Sequence, residues 1–477
     1  MNSTTSTLDS QRKNRPEFLI GFLGSVCLGA CILLFESPLI LLGLLLAILG
    51  ITVLWFWSDL LPTVVFLLLA FSVEIQLSGT TRLTVPTEPC IVLAVFLFFA
   101  RMAVAKKIVY RRSPLNVGLF LMYFVMVLSL IFTWVTISTV KAIIRDTGYI
   151  LMGYFVIPRY INSELRLRRV VVGCLIAHTL LVLYGFATQV LGGIHIYDEI
   201  ASPFFIEHCI YAAFITMTFA FLLAYYLDLE PGKIRFRLAV LVGIFGVAII
   251  LTFVRAAWIS VAFLLAYYLY QYRVKRSSVD LILILLVFLL IGIVLTFTTD
   301  LGNLFLQRVD TVADLQYVAN YDRLDRWWSA FHMWRIHPVF GVGWGAYPDV
   351  YPYFIVMPNA YSTYIRMGAH NLYLEIMAET GLVGITVFLT LISIYFYQLI
   401  VIQRKVKSPF YKNFVIGMQG AMITYLVHAF LNNLGPSDKI ALTFWVLMGM
   451  VPAMSYLAFL EEEATTPQSQ QAVSDGG

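Results

Sequence analysis

The chain has 477 residues, of which 60% are hydrophobic and 12% charged, with a formal net charge of +5. A soluble domain carries about 25% Asp, Glu, Lys and Arg, so a water-soluble enzyme or binding module is excluded for the body of the chain. The basic residues are scattered through short loops and not gathered on one soluble face, which argues against a nucleic-acid partner.

In chain order, a polar head (1–17) with Arg12, Lys13 and Arg15 precedes an apolar run at 18–35. The layout is that of a signal peptide, but no small-x-small cleavage site stands before the next run at Pro38, so the run is read as an uncleaved helix. Further runs of spanning length lie at 38–57, 60–77, 90–105, 115–135, 140–158, 170–191, 204–227, 236–254, 256–272, 280–298, 372–402, 413–432 and 439–460. The pairs 18–35/38–57 and 236–254/256–272 are tight, which leaves the count between 12 and 14. No polar linker separates Phe18 from Leu460. The pattern predicts an all-α, polytopic transmembrane bundle: helices over 18–298, one long ordered loop over 299–371, further helices over 372–460, and a disordered tail over 461–477. The cysteines Cys27, Cys31, Cys90, Cys174 and Cys209 all sit in or beside apolar runs, as small core residues do, and offer neither a disulfide framework nor a zinc site.

Charge sets the expected topology. With a cytoplasmic N-terminus, Lys106, Lys107, Arg111 and Arg112 fall inside, as do Arg166, Arg168 and Arg169, then Lys233, Arg235 and Arg237. The same register places Arg273, Lys275, Arg276, Arg404, Lys405, Lys407 and Lys412 inside, roughly two thirds of all Lys and Arg on one side. The long loop then lies outside and the tail inside. The loop is rich in Trp, Tyr, Arg, Asp and His and lacks the bias of a flexible tether, so the chemistry is sought there.

Three features stand out. Tyr321-Asp-Arg323-Leu-Asp-Arg326-Trp327-Trp328 opens a segment with helical spacing that runs to Trp334, Arg335 and His337 and ends at Pro338. The glycines of Gly341-Val-Gly343-Trp344-Gly345 follow, with no strand before them, and read as a tight turn with close backbone approach and not as a nucleotide loop. His370-Asn371 then stands where the polar loop turns into a helix, whose positive end disfavours an imidazolium and keeps His370 able to accept a proton. The plainer alternative is that either residue only caps that helix. Arg255, in Thr252-Phe-Val254-Arg255-Ala-Ala-Trp258, lies between two apolar runs at the outer face. A guanidinium there needs a partner or a ligand anion, or it snorkels beside Trp258.

Together, Arg323-Leu-Asp-Arg326-Trp327 with His337-Pro338-Val-Phe-Gly341-Val-Gly343, and His370-Asn371-Leu-Tyr-Leu with Glu379-Thr-Gly381-Leu-Val-Gly384, resemble the O-antigen ligase and O-antigen polymerase superfamily of bacterial envelope glycan assembly. The resemblance spans about 255–400. Family members carry a Thr-x-Ser-Arg turn where this chain has Val254 before Arg255, a departure that leaves the arginine in place. The resemblance implies transfer of a glycan from undecaprenyl diphosphate to an acceptor hydroxyl, lipid- or sugar-linked, at the outer face of the inner membrane, without a cofactor. It assigns diphosphate binding to Arg255 and Arg323, with Arg326 as a further candidate, and general-base work to His370. Arginine forks suit a departing diphosphate, and the sequence has no Asp-x-Asp pair to carry a metal for it.

Other residues keep two readings. Trp327, Trp328, Trp344, Tyr347, Tyr351, Tyr353 and Tyr361 form either a sugar-stacking wall or an interfacial belt. His332 and His337 are spaced poorly for a shared metal and read as structural. Glu375 and Glu379, at i and i+4, orient His370 or the acceptor, or only cap and bond between helices, and His428 and Asn432 share that ambiguity. A small-solute or bicarbonate transporter is the rival class and would need the acids Glu74, Asp146 and Glu207; a non-catalytic scaffold is a third. Ligase, polymerase and protein O-glycosyltransferase are not separated by these residues.

Overall fold

The computed structural model describes residues 58–78, 81–105, 111–192, 199–272, 279, 318–357, 367–435 and 437–464. The predicted helices at 18–35, 38–57 and 280–298, the first part of the long loop, Tyr361 and the end of the tail lie outside the described residues. The rest is a polytopic helical bundle in which six helices are long and apolar enough to cross a membrane, and the chain is a multi-pass membrane protein. In order, the helices are α1 (Leu61–Ala70), α2 (Thr87–Ala105), α3 (Leu115–Leu128) and α4 (Thr136–Ile150), which continues through a π-helical stretch Leu151–Val156 to Tyr160. Next come α5 (Glu164–Gly192), α6 (His208–Asp228), α7 (Lys233–Leu251), α8 (Arg255–Tyr272), α9 (Val318–Ile336), α10 (Leu372–Lys405), α11 (Pro409–Ala429) and α12 (Asp438–Ala464).

Two predicted helices need correction. The run at 60–77 is not one span: α1 stops at Ala70 and the chain forms an antiparallel hairpin, β1 (Val73–Ser78) with β2 (Thr81–Val85). The physical reason is a change of period. From Val73 the apolar residues alternate with Glu74, Gln76 and Ser78, and the register sets Val73 against Val85 and Ile75 against Leu83. The start of α12 holds the hairpin, as Lys439 Nζ donates to the carbonyls of Ala70 (3.3 Å) and Ser72 (3.0 Å) and Thr84 donates to Asp438. The second correction is in α10, which is two helical pieces joined at Gly381, with φ 66° and ψ −162°.

α11 sits at the centre, packed along α6 and α8, while α10 packs along α3 and α9 leans on α10. In lipid, helices associate through close packing and polar contacts. Both are present. A Cβ on Gly153 would meet Val446 N at 2.8 Å, so the π-helical stretch touches α12 backbone to backbone. Tyrosine hydroxyls bridge neighbours: Tyr268 donates to Ala220 O (2.7 Å), Tyr373 to Leu426 O (3.0 Å) and Tyr395 to Met418 O (3.0 Å). Glu461 accepts from the backbone N–H groups of Lys407 and Ser408, and Ser408 Oγ meets Glu164 at 3.4 Å. The basic segments at 164–169 and 404–412 therefore share one end of the bundle, and the start of α10, with His370, lies at the other.

Candidate active site

The site begins at the α7–α8 turn. Thr252 Oγ1 accepts from Val254 N at 3.4 Å, and Phe253 takes a left-handed φ of 53° that lets the chain reverse into Arg255. Arg255 Nη2 then donates to Asn320 Oδ1 at 3.3 Å. Asn320 is three residues before Arg323 on α9, hence on the same face. α9 stops at Ile336 because Pro338 cannot continue it.

Arg323 reaches the second part of the site, where its charge acts on His370. His370 has a left-handed φ of 51°; a non-glycine residue in that region costs of order 1–3 kcal/mol and persists only when its surroundings hold it. Three contacts do so. Asn371 caps α10, its side chain accepting from Tyr373 N (3.0 Å) and Leu374 N (3.1 Å). Glu375 accepts from Ala369 N (2.8 Å) and from Asn433 Nδ2 (2.9 Å). Arg326, buried, donates to Gly368 O at 3.5 Å. Gly368 admits this packing because a Cβ there would stand 2.7 Å from Glu375 Oε2. Burial, and then the charges of Arg326 and Arg323, push His370 down from 6.5 to about 3, with Asn432 alongside opposing the shift. The imidazole is therefore neutral at pH 7, with an acceptor nitrogen beside two cations. Burial also lowers the Arg326 guanidinium from its ordinary value.

The glycines of the loop serve the break in α10. Leu382 N donates to Pro338 O (2.8 Å) and Val383 N to Val339 O (3.3 Å), while Val342 N donates to Ala378 O (3.0 Å) and Gly343 N to Glu379 O (2.9 Å). The loop thus pairs with backbone groups that the interrupted helix leaves free. Gly341 and Gly381, with φ of 69° and 66°, each lie where a Cβ would strike the other segment's backbone. Glu379 accepts from Tyr347 N at 3.0 Å and so organises this loop, away from the imidazole.

The structure brings Arg255, Arg323, Arg326, His370, Asn371 and Glu375 into one region and sets Glu379 in the adjoining loop support. Trp327 meets Phe430 edge-on at 6.3 Å, and Trp328 is exposed. Trp344 donates from Nε1 to Asp146 Oδ2 at 2.6 Å, and Tyr347 is fully buried, stacked on Tyr351 with its hydroxyl donating to Arg326 O, so both rings are committed to the loop's packing. Tyr353 is exposed; His332 lies against Trp328 and Phe331, and His337 meets Trp134 at 5.3 Å. Of the acids a transporter would need, Glu74 lies on the hairpin, Asp146 bonds Arg145 and Trp344, and Glu207 precedes α6. Asn320 and Asn433 escape sequence reasoning. The spacing of Asn320, Arg323 and Arg326 at three-residue steps is the signal that finds the first; nothing local points to the second.

A family model described as O-antigen ligase matches residues 238–389. No curated protein matches the chain. The matched stretch runs from within α7 into α10 and includes Arg255, Arg323, the glycine loop and His370, and over these residues the chain is similar to the O-antigen ligase family.

Proposed function

We propose that this protein transfers a glycan from undecaprenyl diphosphate to an acceptor hydroxyl at the outer face of the bacterial inner membrane, with both termini in the cytoplasm and the segment 299–371 outside. Arg255 and Arg323 bind the diphosphate, and His370 is the base. The acceptor oxygen bonds the anomeric carbon as its proton passes to His370, and the bond to phosphate breaks with its electron pair leaving on the diphosphate. A single displacement of this kind inverts the anomeric centre and needs no protein nucleophile. Fixed guanidiniums favour the charge that grows on the leaving group.

The observation that carries this reading is the half-buried His370 at the start of α10, within reach of the charges of Arg326 and Arg323, with a third arginine tied to the same helix as both through Asn320. The test is a deletion strain complemented with wild type, His370→Ala or Arg323→Ala, with lipid-linked and surface glycans separated by size. The expected result is that neither variant restores surface glycan at wild-type protein level. Long lipid-linked chains accumulating in the mutants identify a ligase, and single repeats a polymerase. Normal surface glycan from His370→Ala removes the base from the mechanism.

A further inference from the structure

Buried polar atoms without hydrogen-bond partners converge on the turn that closes α11. His428, 1% exposed, has neither ring nitrogen paired, and Asn432, 3% exposed, has its Oδ1 unpaired. Asn433 Oδ1 is also buried and unpaired. Its Nδ2 is committed to the Glu375 carboxylate, which fixes the amide's orientation and makes the unpaired atom an acceptor. Facing the turn, Trp327 Nε1 is unpaired as well, and His370, whose ring lies beside Asn432, adds its Nδ1 to the same face. Leaving such an atom unpaired is costly, and native proteins rarely keep a cluster of them without a use. The atoms belong to one place: Arg323 acts on both His370 and His428, Asn432 lies beside His370, and Trp327 rests on Phe430 within the turn.

The set is neutral and mixed. Amide oxygens only accept, an indole N–H only donates, and an imidazole does both. A phosphate oxygen only accepts, so phosphate in this place would face the two asparagine oxygens with no proton between them. A sugar hydroxyl donates and accepts, and satisfies every member.

We propose that the α11–α12 turn, through His428, Asn432 and Asn433, is a carbohydrate-binding wall that hydrogen-bonds ring hydroxyls next to the diphosphate clamp. The proposal rests on the transfer reading above and supplies a surface for the sugar itself. Donor and acceptor sugars offer the same hydroxyl chemistry, so the experiment has an arm for each.

The full chain in lipid nanodiscs is offered two probes: lipid-linked glycan purified from a strain lacking the gene, and undecaprenyl diphosphate freed of its sugar. If the wall holds the donor sugar, His428→Ala and Asn432→Ala bind the glycosylated lipid about tenfold more weakly, equivalent to about 1.4 kcal/mol, and the sugar-free lipid as wild type does. If it holds the acceptor sugar, donor binding is unchanged and the acceptor KM in transfer rises about tenfold. His428→Gln, which keeps a donor and an acceptor, retains wild-type values in both arms, whereas His428→Phe behaves as alanine. Equal weakening toward both lipids, loss in the glutamine variant, or wild-type behaviour of both alanine variants in both arms overturns the proposal. Equal binding of the sugar-free lipid by wild type and Arg323→Ala counts instead against the clamp.

Discussion

Gly381→Ala is the sharpest perturbation of the architecture that supports the site. With φ 66° and ψ −162°, Gly381 occupies a region that is essentially closed to residues with a Cβ, at a cost of order 1–3 kcal/mol. The added carbon would also stand 2.6 Å from Phe340 N, against backbone that cannot rotate away. Relief requires the loop to lift, and the hydrogen bonds joining 338, 339, 342 and 343 to the broken helix then go with it. At roughly 0.5–1.5 kcal/mol net for each, the loop loses about 3 kcal/mol or more in total. The rest of the bundle is untouched, so the damage is local. Hydrogen exchange in nanodiscs should show protection at Val342, Gly343, Leu382 and Val383 falling by about 100-fold or more, with α6 and α11 unchanged, and glycan transfer should fall in parallel. Gly243→Ala is the control: a Cβ there meets nothing within 4 Å, and alanine is the better helix former. Wild-type protection and transfer in Gly381→Ala would refute the reasoning.

Asn371→Ala removes the cap of α10 and should cost about 0.5–2 kcal/mol of local stability, while Asn371→Asp retains most of it, as read by melting temperature and by proteolysis of the 367–371 segment. Glu375→Ala should release the Ala369 N–H and Asn433 together and lower transfer without weakening binding of sugar-free undecaprenyl diphosphate; unchanged transfer would show that the carboxylate does not position His370. Loss of His370 by substitution with alanine should reduce turnover by about 10²–10⁴-fold, the usual worth of general-base assistance, while the folded protein persists on size-exclusion chromatography. The pH profile carries a sign. Arg323 helps to hold His370 down at about 3, so removing that charge in Arg323→Gln raises the histidine's value toward 6.5 and makes it protonate earlier as pH falls. The acid limb of kcat/KM should therefore move to higher pH in Arg323→Gln, independent of the loss in absolute rate; a limb that stays in place separates Arg323 from His370.

The helices long and apolar enough to span, α2, α5, α6, α7, α10 and α12, were legible because a long apolar run needs no partner to declare itself. The hairpin at 73–85 was hidden by the same measure: window hydropathy sums Val73, Ile75 and Leu77 with α1 and ignores that they alternate with polar residues. The charged residues of the candidate site carry signals in the sequence, and their supports do not. Arg255, Arg323 and His370 carry local signals, namely charge beside apolar runs and a helix start. The pairing of Gly341 with Glu379 and of Gly381 with Val339 joins segments far apart in sequence, and neither segment alone names the backbone it will touch. The same holds for Glu375 and Asn433: the sequence offers Glu375 as a capping or helix-bridging carboxylate, and it accepts from Ala369 N and from Asn433 Nδ2, a distant partner that no local signal names.

A histidine at about 3 is a poor base as it stands, because proton transfer is most efficient when the base and the working pH are matched. Two causes set that value, and they respond differently to substrate. Burial is the larger, and it persists when the site fills. The arginine charges are the smaller, and a diphosphate bound to Arg323 as proposed would bring negative charge that offsets their field at the imidazole. On the proposed reading, His370 becomes more basic only after the donor has docked. The acceptor hydroxyl then meets a competent base when the anomeric phosphate bond is already in place, and water entering an empty site meets a weak one. Donor before acceptor is thus the order favoured by electrostatics, set by which residues surround one imidazole.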